Sequence, residues 1–257
     1  LDACTMTNME ALDNPSAGGV NCTSLITGDF SNGNDGVLTK NGLTLRDLVE
    51  QKVKVLMEEG SVSQYAIARA CEMKGVDETK IRVVNTSYDN LIVAFENDPN
   101  VTACVTWNPG LMNLMQVPGV SKVFDSSQIP GEILDLMVVN TKVLEENPEL
   151  GRALTGAWYE ITNLMTARTD KGKQALEYMA KESPCTLEEY RAQLATTMMF
   201  YSPDVAVEYT GGEDIQKNMD LVRKFCASHG LLQGTTDPNT VGIKFPDGSV
   251  LGDRNNI

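Results

Sequence analysis

The sequence has little of what catalytic and nucleic-acid-binding proteins need. It contains one histidine, and its 21 Lys and Arg residues are outnumbered by 35 Asp and Glu residues, for a net charge of −14. Binding a phosphate backbone requires a basic face, and no Lys/Arg cluster occurs, which argues against a nucleic-acid partner. The G-x-S-x-G, G-x-x-x-x-G-K-[ST], H-E-x-x-H and G-x-G-x-x-G patterns are also absent. We therefore predict a binding protein with no catalytic residue and no cofactor.

Long apolar runs and paired cysteine motifs are missing too. No run approaches the ~20 residues of a membrane-spanning helix. The six cysteines contain no C-x-x-C, which excludes zinc-ribbon and thioredoxin-like sites. Disulfides in an oxidising compartment and small buried apolar side chains both remain open. If disulfides form, adjacency in the predicted elements suggests Cys71 with Cys104 and Cys185 with Cys226.

The only histidine, His229, precedes a glycine, in a position typical of a helix end. A partly charged imidazole there interacts favourably with the helix dipole. We predict this structural role, and one histidine leaves little basis for a metal site.

The first half alternates short strands with helices. Predicted strands are Ser24–Gly28, Val37–Lys40, Lys52–Met57, Ile81–Asn85 and Val101–Trp107, and predicted helices are Leu43–Val49, Gln64–Lys74 and Asp89–Phe95. Gly75 is expected to end its helix as a C-cap. This alternation predicts a mostly parallel sheet covered by helices, with a ligand beyond the carboxyl ends of the strands.

The second half is mainly helical. A strand over Ile133–Val139 leads to Asn140, a candidate helix cap. Predicted helices are Pro148–Thr166, Asp170–Glu182, Thr186–Met198 (opened by a capping-box pattern) and Asp214–Ser228. The polar tail after Gly234 is expected to wrap the surface or to stay loose.

Several segments resemble a known family. Leu1–Leu12, Gly60–Tyr65 and Asn100–Pro109 are similar to segments of the nitrate/sulfonate/taurine-type solute-binding proteins of ATP-driven (ABC) importers. The closer resemblance is to the urea-type subgroup encoded beside urea carboxylase-related or guanidine carboxylase genes, through Thr5–Glu10, Gly28–Gly36, Ser61–Ser63, Thr106–Pro109 and Ile129–Leu136. Family members begin with about two more strands and a helix. We therefore expect the natural protein to have a further N-terminal stretch.

The resemblance implies an α/β fold of the two-lobe periplasmic-binding-protein type (type II), with mixed, mainly parallel sheets flanked by helices. Residues 1–41 and 129–234 would form lobe one, which would lack its first strands, residues 42–128 would form lobe two, and residues 235–257 a tail. A solute would be captured between the lobes as they close. The implied partner is a membrane permease, and the protein would be a periplasmic, or extracellular and membrane-tethered, monomer.

Candidate ligand contacts come from the strand ends and turns of both lobes. They are Asn8, Glu10, Asn34, Asp35, Glu59, Ser61, Ser63, Trp107 and Asp135, with Asn32 and Asn108 beside them. Structural alternatives exist: the serines can cap a helix, the loop asparagines can serve a turn, the indole can pack in a core, and Glu10 can be a solvated helix residue. The two aspartates border apolar strand segments, where an acid without a partner is uncommon.

The charges of these side chains indicate the class of ligand. They include carboxylates and no basic residue, which favours a neutral or cationic solute rich in hydrogen-bond donors. A guanidinium pairs with carboxylates and stacks on an indole such as Trp107, whereas urea would use Asn8, Asn34 and Ser63. Guanidine is slightly favoured over urea.

Three alternatives stay open. The first is a binding protein for an anion such as nitrate or an alkanesulfonate. The second is a thiamine-pyrimidine synthesis enzyme of the same fold, although such an enzyme needs a pyridoxal phosphate-binding lysine and a histidine in the cleft. The third is a sensor module that uses the fold without a transporter.

Overall fold

The computed structural model describes residues 1–183 and 185–256 and divides the chain into two units. Unit 1 contains Leu1–Phe30 and Gly131–Ile257, of which Pro184 and Ile257 lie outside the described residues. Unit 2 is the continuous segment Ser31–Pro130. Each unit has its own main sheet.

The strands and helices alternate through the first half of the chain. The strands are β1 (Ala3–Thr7), β2 (Cys22–Ser31), β3 (Asp35–Lys40), β4 (Lys54–Met57), β5 (Arg82–Asn85), β6 (Ala103–Trp107), β7 (Val120–Asp125), β8 (Leu134–Asn140), β9 (Thr197–Met199), β10 (Ile243–Lys244) and β11 (Val250–Leu251). The helices are α1 (Asn8–Ala11), α2 (Leu45–Glu50), α3 (Val62–Lys74), α4 (Tyr88–Asn97), α5 (Gly110–Leu114), α6 (Thr141–Glu146), α7 (Pro148–Thr166), α8 (Asp170–Glu182), α9 (Leu187–Leu194), α10 (Pro203–Thr210) and α11 (Glu213–Ser228).

The main sheet of unit 1 has the order β1-β8-β2-β9. Strands β1 and β2 both pair with β8 in antiparallel register, so Thr7 and Asp29 each lie opposite Asp135. The expectation of mainly parallel sheets is therefore wrong around β8. Strands β1 and β2 thus run in the same direction, and β8, which follows unit 2 in the chain, runs against both.

Unit 2 contains a mixed sheet of order β5-β4-β6-β3-β7. Strand β4 is parallel to β5 and β6, as the strand-helix alternation predicts, while β3 runs antiparallel to β6 and β7. Apolar side chains of the sheet pack with α4 and α5 in a buried cluster that includes Leu38, Phe95 and Leu111. Lys40 strengthens this packing, because its ammonium group bonds to the carbonyl of Phe95 and lies 4.6 Å from the centre of that ring.

The boundary between the units differs from the prediction. Because β3 pairs with β6 and β7, it belongs to unit 2, and the first crossover falls between Phe30 and Ser31, earlier than the predicted crossover near Lys40. The return crossover falls between Pro130 and Gly131, close to the predicted Ile129.

Most predicted elements are confirmed, several to the residue. Pro148–Thr166 and Asp170–Glu182 have the predicted bounds, Gly75 ends α3 with a φ of 63°, and the Asn140 side chain caps α6. The helix predicted to reach Met198 instead ends at Leu194, because the chain continues as β9 and joins the sheet edge, where the Phe200 N–H bonds to the Gly28 carbonyl at 2.9 Å.

The segment after Gly234 is packed, contrary to the expectation of a surface or loose tail. Val241 and Phe245 are buried, and β10 pairs with β11. The guanidinium of Arg223 on α11 holds the segment, since its Nη1 donates to the Pro238 carbonyl at 2.7 Å and its Nη2 to the Asp220 carboxylate at 2.6 Å. A buried cation thus ties α11 to this segment.

All six cysteines are free thiols, so the suggested pairs Cys71–Cys104 and Cys185–Cys226 are wrong. Cys71, Cys104 and Cys226 are buried, and the alternative of small apolar side chains holds for them. Burial raises the pKa of the Cys71 thiol to about 11 and that of Cys226 to about 12. These thiols are protonated at neutral pH and unreactive.

None of the helices in residues 1–183 and 185–256 combines the length and apolarity needed to cross a bilayer.

Candidate functional site

In unit 2, the carboxyl ends of the parallel strands β4 and β6 lie at one edge of the sheet. Helix α3 begins after β4, and antiparallel β3 starts opposite the end of β6, with Asp35 across from Trp107. This edge therefore brings together the predicted residues Asn34, Asp35, Glu59, Ser61, Ser63 and Trp107. It is the place where open α/β sheets bind ligands.

Two serines begin α3. The Ser61 hydroxyl accepts from the Ser63 N–H at 3.1 Å and donates to the Glu58 carbonyl at 2.7 Å, so the capping alternative is confirmed for Ser61. The Ser63 hydroxyl is different: it is buried and, within the part of the chain that the structure describes, has no hydrogen-bond partner. The same holds for the Thr106 hydroxyl at the end of β6. Such buried orphan groups are rare and need an explanation.

Trp107 stacks on Tyr88 at the start of α4. Their ring centroids are 4.8 Å apart with an interplanar angle of 28°, and the Tyr88 hydroxyl accepts from the Gly110 N–H at 2.7 Å. Burial raises the pKa of the Tyr88 phenol, chiefly through desolvation. Trp107 is only half-buried, so the pair provides a fixed aromatic surface at this edge.

The loop between β2 and β3 is held by a polar network. The Ser31 hydroxyl bonds to Asn34 Oδ1, to the Asp35 carboxylate and, at 2.6 Å, to the Ser126 hydroxyl, which also accepts from the Gly33 N–H at 2.8 Å. Asp35 is buried within this network. A buried aspartate is expected to have a polar partner, and one partner of Asp35 is the Ser31 hydroxyl of the protein itself.

Glu59 lies at the turn before α3. Its side chain is exposed, and its N–H donates to Asn85 Oδ1 at 3.1 Å, which joins the turn after β4 to the end of β5. A ligand role for the carboxylate stays a prediction.

In unit 1, Asn8 is fully engaged in the fold. Its Nδ2 donates to the Glu132 carbonyl at 2.9 Å and its Oδ1 accepts from the Leu134 N–H at 3.1 Å, with the side chain 1% exposed. The amide thus replaces a backbone partner at the start of β8. Its predicted contact with a ligand is not tested by this geometry.

Glu10 completes a capping box with Thr7. Its Oε2 accepts from the Thr7 N–H at 2.8 Å and from the Thr7 hydroxyl at 3.0 Å, while the Glu10 N–H donates to the Thr7 hydroxyl at 3.2 Å. This arrangement satisfies the first turn of α1. The structure therefore gives Glu10 a capping role that the sequence interpretation did not consider.

Asp135 forms a carboxyl pair with Asp29, its neighbour across the β2–β8 ladder. Asp135 is open to solvent on one side, while protein atoms crowd it on the other. This crowding raises its pKa, the charge of Glu10 raises it further, and a hydrogen bond with Asp29 opposes the rise. The raised pKa means that the pair retains a proton more readily than a free carboxylate, and a cation between the two would relieve the same repulsion.

Five site residues were missed by sequence reasoning: Asp29, Ser31, Tyr88, Thr106 and Ser126. The polar run of Asp29 to Asp35 and the Ser-Tyr pair before α4 were available signals. Thr106 and Ser126 had none, because isolated hydroxyl residues occur throughout the chain.

His229 has the structural role predicted for it. It caps the carboxyl end of α11, its ring lies 4.0 Å from that of Phe225, and its Nδ1 is 2.9 Å from the Phe225 carbonyl oxygen.

Asp13, in the turn after α1, supplies a pH-dependent test of unit 1. Burial, reinforced by the charge of Glu10, raises its pKa from 3.8 to about 7. A raised carboxyl pKa destabilises the folded state once the group ionises, so the penalty is absent below about pH 4, grows between pH 4 and 7 and is full above pH 7. We expect Asp13→Asn to raise the free energy of unfolding by about 1 kcal/mol more at pH 8 than at pH 5, after allowance for solvent screening.

Urea denaturation at the two pH values measures this effect, with the exposed Asp2→Asn as the control. An Asp13→Asn gain that is equal at both pH values would contradict the assignment.

Comparison with known proteins places the fold. No family model matches the chain, and no curated protein sequence matches it. Its structure is similar to the periplasmic aliphatic sulphonate binding protein SsuA from Escherichia coli, with a TM-score of 0.69 and 17% identity over 92% of this chain and 78% of that chain. The alkanesulfonate-binding protein SsuA from Xanthomonas axonopodis pv. citri, bound to MOPS, gives a TM-score of 0.69 and 14% identity over 90% and 76%.

A third similar structure is a DSZB mutant in complex with biphenyl-2-sulfinic acid, with a TM-score of 0.63 and 13% identity over 93% of this chain and 82% of that chain. At such identities the similarity speaks for the fold alone. The chain has an α/β periplasmic-binding-protein fold with mixed sheets flanked by helices.

Proposed function

We propose that this chain is the solute-binding component of an ATP-driven importer, acting in the periplasm and delivering its solute to a membrane permease. The main support is the fold, which is similar to that of a periplasmic sulphonate binding protein over 92% of the chain. The single histidine, His229, caps a helix. This supports binding over catalysis, because no other histidine is present to act as a general acid or base.

The proposed solute is a small organic anion of the alkanesulfonate class. Two of the similar structures are of proteins named for sulfonates. In this chain, the N-terminus of α3 places its positive dipole end at the ligand-binding edge of unit 2. An anion there would also provide an acceptor for the buried Ser63 hydroxyl.

A second candidate solute is guanidine, and one observation favours it. Asp29 and Asp135 form a carboxyl pair in unit 1, with Glu10 close enough to raise the pKa of Asp135. A guanidinium ion could bridge two such carboxylates and relieve their repulsion. Urea, which is neutral, gains less from this pair. Capture between the two units remains a prediction under either assignment.

A binding panel separates the candidates. Thermal unfolding is measured with methanesulfonate, taurine, nitrate, guanidinium and urea, each at the same millimolar concentration. A solute at one thousand times its dissociation constant adds about 4 kcal/mol to the free energy of unfolding. We expect stabilisation by the sulfonates only. Stabilisation by guanidinium alone would identify guanidine as the solute. No stabilisation by any of the five compounds would reject both the alkanesulfonate and the guanidine assignment.

Substitution of Ser63 by alanine tests whether the solute binds at the N-terminus of α3. Removing an orphan hydroxyl should leave the free energy of unfolding of the unliganded protein unchanged or raise it by about 1 kcal/mol. Loss of a hydrogen bond to a charged ligand should weaken methanesulfonate binding about tenfold, as measured by calorimetry.

The matched control is Ser87→Ala, at the start of α4, where the serine makes no helix-capping bond. Unchanged methanesulfonate affinity in Ser63→Ala would remove the α3 terminus from the site.

A further inference from the structure

A separate cavity lies within unit 1, away from the residues discussed so far. It is an open surface cavity with a volume of about 480 Å³, lined by the end of α7, the start of α8 and the end of α9. This volume is within the range of small-molecule sites, about 300–1,000 Å³. Its charged lining residues are Arg168, Asp170, Lys173 and Arg191, and Met165, Leu176 and Leu194 provide apolar wall. The cavity thus combines positive charge with apolar surface.

The two arginines of this lining, Arg168 and Arg191, are exposed to solvent. In the part of the chain that the structure describes, Arg168 and Arg191 form no ion pair and no side-chain hydrogen bond. Lys173 lies 3.5 Å from Glu177, which is its own partner along α8. Asp170 is in the first turn of α8, where its charge offsets the positive end of the helix dipole. Two exposed arginines therefore line one surface cavity in a protein whose net charge is −14.

The turn between α7 and α8, beside the cavity, is closely packed. A Cβ atom at Gly172 would lie 2.3 Å from the Ala167 carbonyl oxygen and 2.6 Å from that of Leu164, distances that no real side chain tolerates. Gly172 therefore allows α7 to end directly against the first turn of α8. The Thr169 hydroxyl, which accepts from the Gly172 N–H at 3.2 Å, fixes the same turn. One wall of the cavity is therefore a closely packed turn between α7 and α8.

We propose that this cavity binds a small organic anion that carries one carboxylate or phosphate group and a short apolar part. Guanidinium groups match these anions because each presents two parallel N–H donors. Among the described residues, the guanidinium N–H donors of Arg168 and Arg191 have no side-chain or backbone acceptor. The apolar part would contact Met165, Leu176 and Leu194. The ligand site is distinct from the proposed solute site and does not depend on the transport assignment.

Calorimetric titration with phenyl phosphate and with benzoate tests the proposal. We expect one molecule to bind per chain with a dissociation constant below about 1 mM, and the neutral benzyl alcohol not to bind. Arg168→Gln with Arg191→Gln should weaken binding at least tenfold. Arg152→Gln, on the exposed surface of α7, is the matched control and should bind as the unmodified protein does.

Three results would overturn the proposal. They are no binding of either anion up to about 10 mM, equal affinity in the double variant, and weakened phenyl phosphate binding in Ser63→Ala. The last result would place the anion at the solute site. Binding of phenyl phosphate by a protein that ignores methanesulfonate would instead keep this cavity as a site while rejecting the alkanesulfonate assignment.

Discussion

Replacing Arg223 with methionine should lower the free energy of unfolding by about 2–4 kcal/mol. The Arg223 side chain is 5% exposed, and its removal leaves the Pro238 carbonyl without its donor and Asp220 without one of its two cations. An unsatisfied buried acceptor costs about 1–3 kcal/mol, and a broken buried ion pair adds to that. Methionine keeps most of the volume, so the loss measures hydrogen bonding and charge.

Lys224 provides the matched control. It also binds Asp220, at 2.6 Å, but is 61% exposed, and Lys224→Met should cost less than about 1 kcal/mol. Urea denaturation gives both values, and limited proteolysis should cut Arg223→Met first after Gly234, where the clamp is lost. Equal costs in the two variants would show that burial of the guanidinium contributes nothing.

Asn8→Ala should lower the free energy of unfolding by a similar amount, about 2–4 kcal/mol. The substitution removes two buried hydrogen bonds of unit 1, one to the Glu132 carbonyl and one from the Leu134 N–H. It also opens a small void beside Met219, whose sulfur lies 3.5 Å from the Asn8 amide nitrogen. Chemical denaturation measures the loss.

An exposed asparagine gives the control for this variant. The exposed side chain of Asn90 donates to the Ser87 hydroxyl at 2.9 Å, and Asn90→Ala should change stability by less than about 0.5 kcal/mol. If Asn8→Ala abolished solute binding and left stability intact, the amide would be a ligand contact as the sequence interpretation proposed.

Local signals account for the parts of the fold that the sequence predicted. The bounds of α7 and α8 follow from Pro148 and from the Thr-Asp pair at 169–170, and the end of α3 follows from Gly75. Each signal acts within one helical turn, so it is readable without tertiary context.

Long-range pairing accounts for what was missed. Strand β3 looks the same in sequence whether it joins β8 or β6, and only its register with Trp107 assigns it to unit 2. Likewise β9 follows α9 without a break signal, because Thr197 to Met199 become a strand only by adding to a sheet edge. Tertiary contacts override local propensity at both places.

The candidate site shows the same division. Sequence reasoning found the helix start at Ser61 and the strand end at Trp107, because both follow from element order. It placed Asp135 among the acids but could not pair it with Asp29, which is distant in sequence and becomes a neighbour only in the β2–β8 ladder. Whether a hydroxyl such as that of Ser63 finds a partner depends on packing that no local pattern records.

The insertion of Ser31–Pro130 between two paired strands affects how the chain folds. Strands β2 and β8 flank this segment and meet with Phe30 opposite Leu134. If the whole segment were unfolded, their pairing would have to close a long disordered loop at a large entropic cost. Once the inserted sheet has formed, its two ends are tethered, and the remaining search is short. From this connectivity we expect the inserted unit to assemble first and the surrounding sheet to close after it.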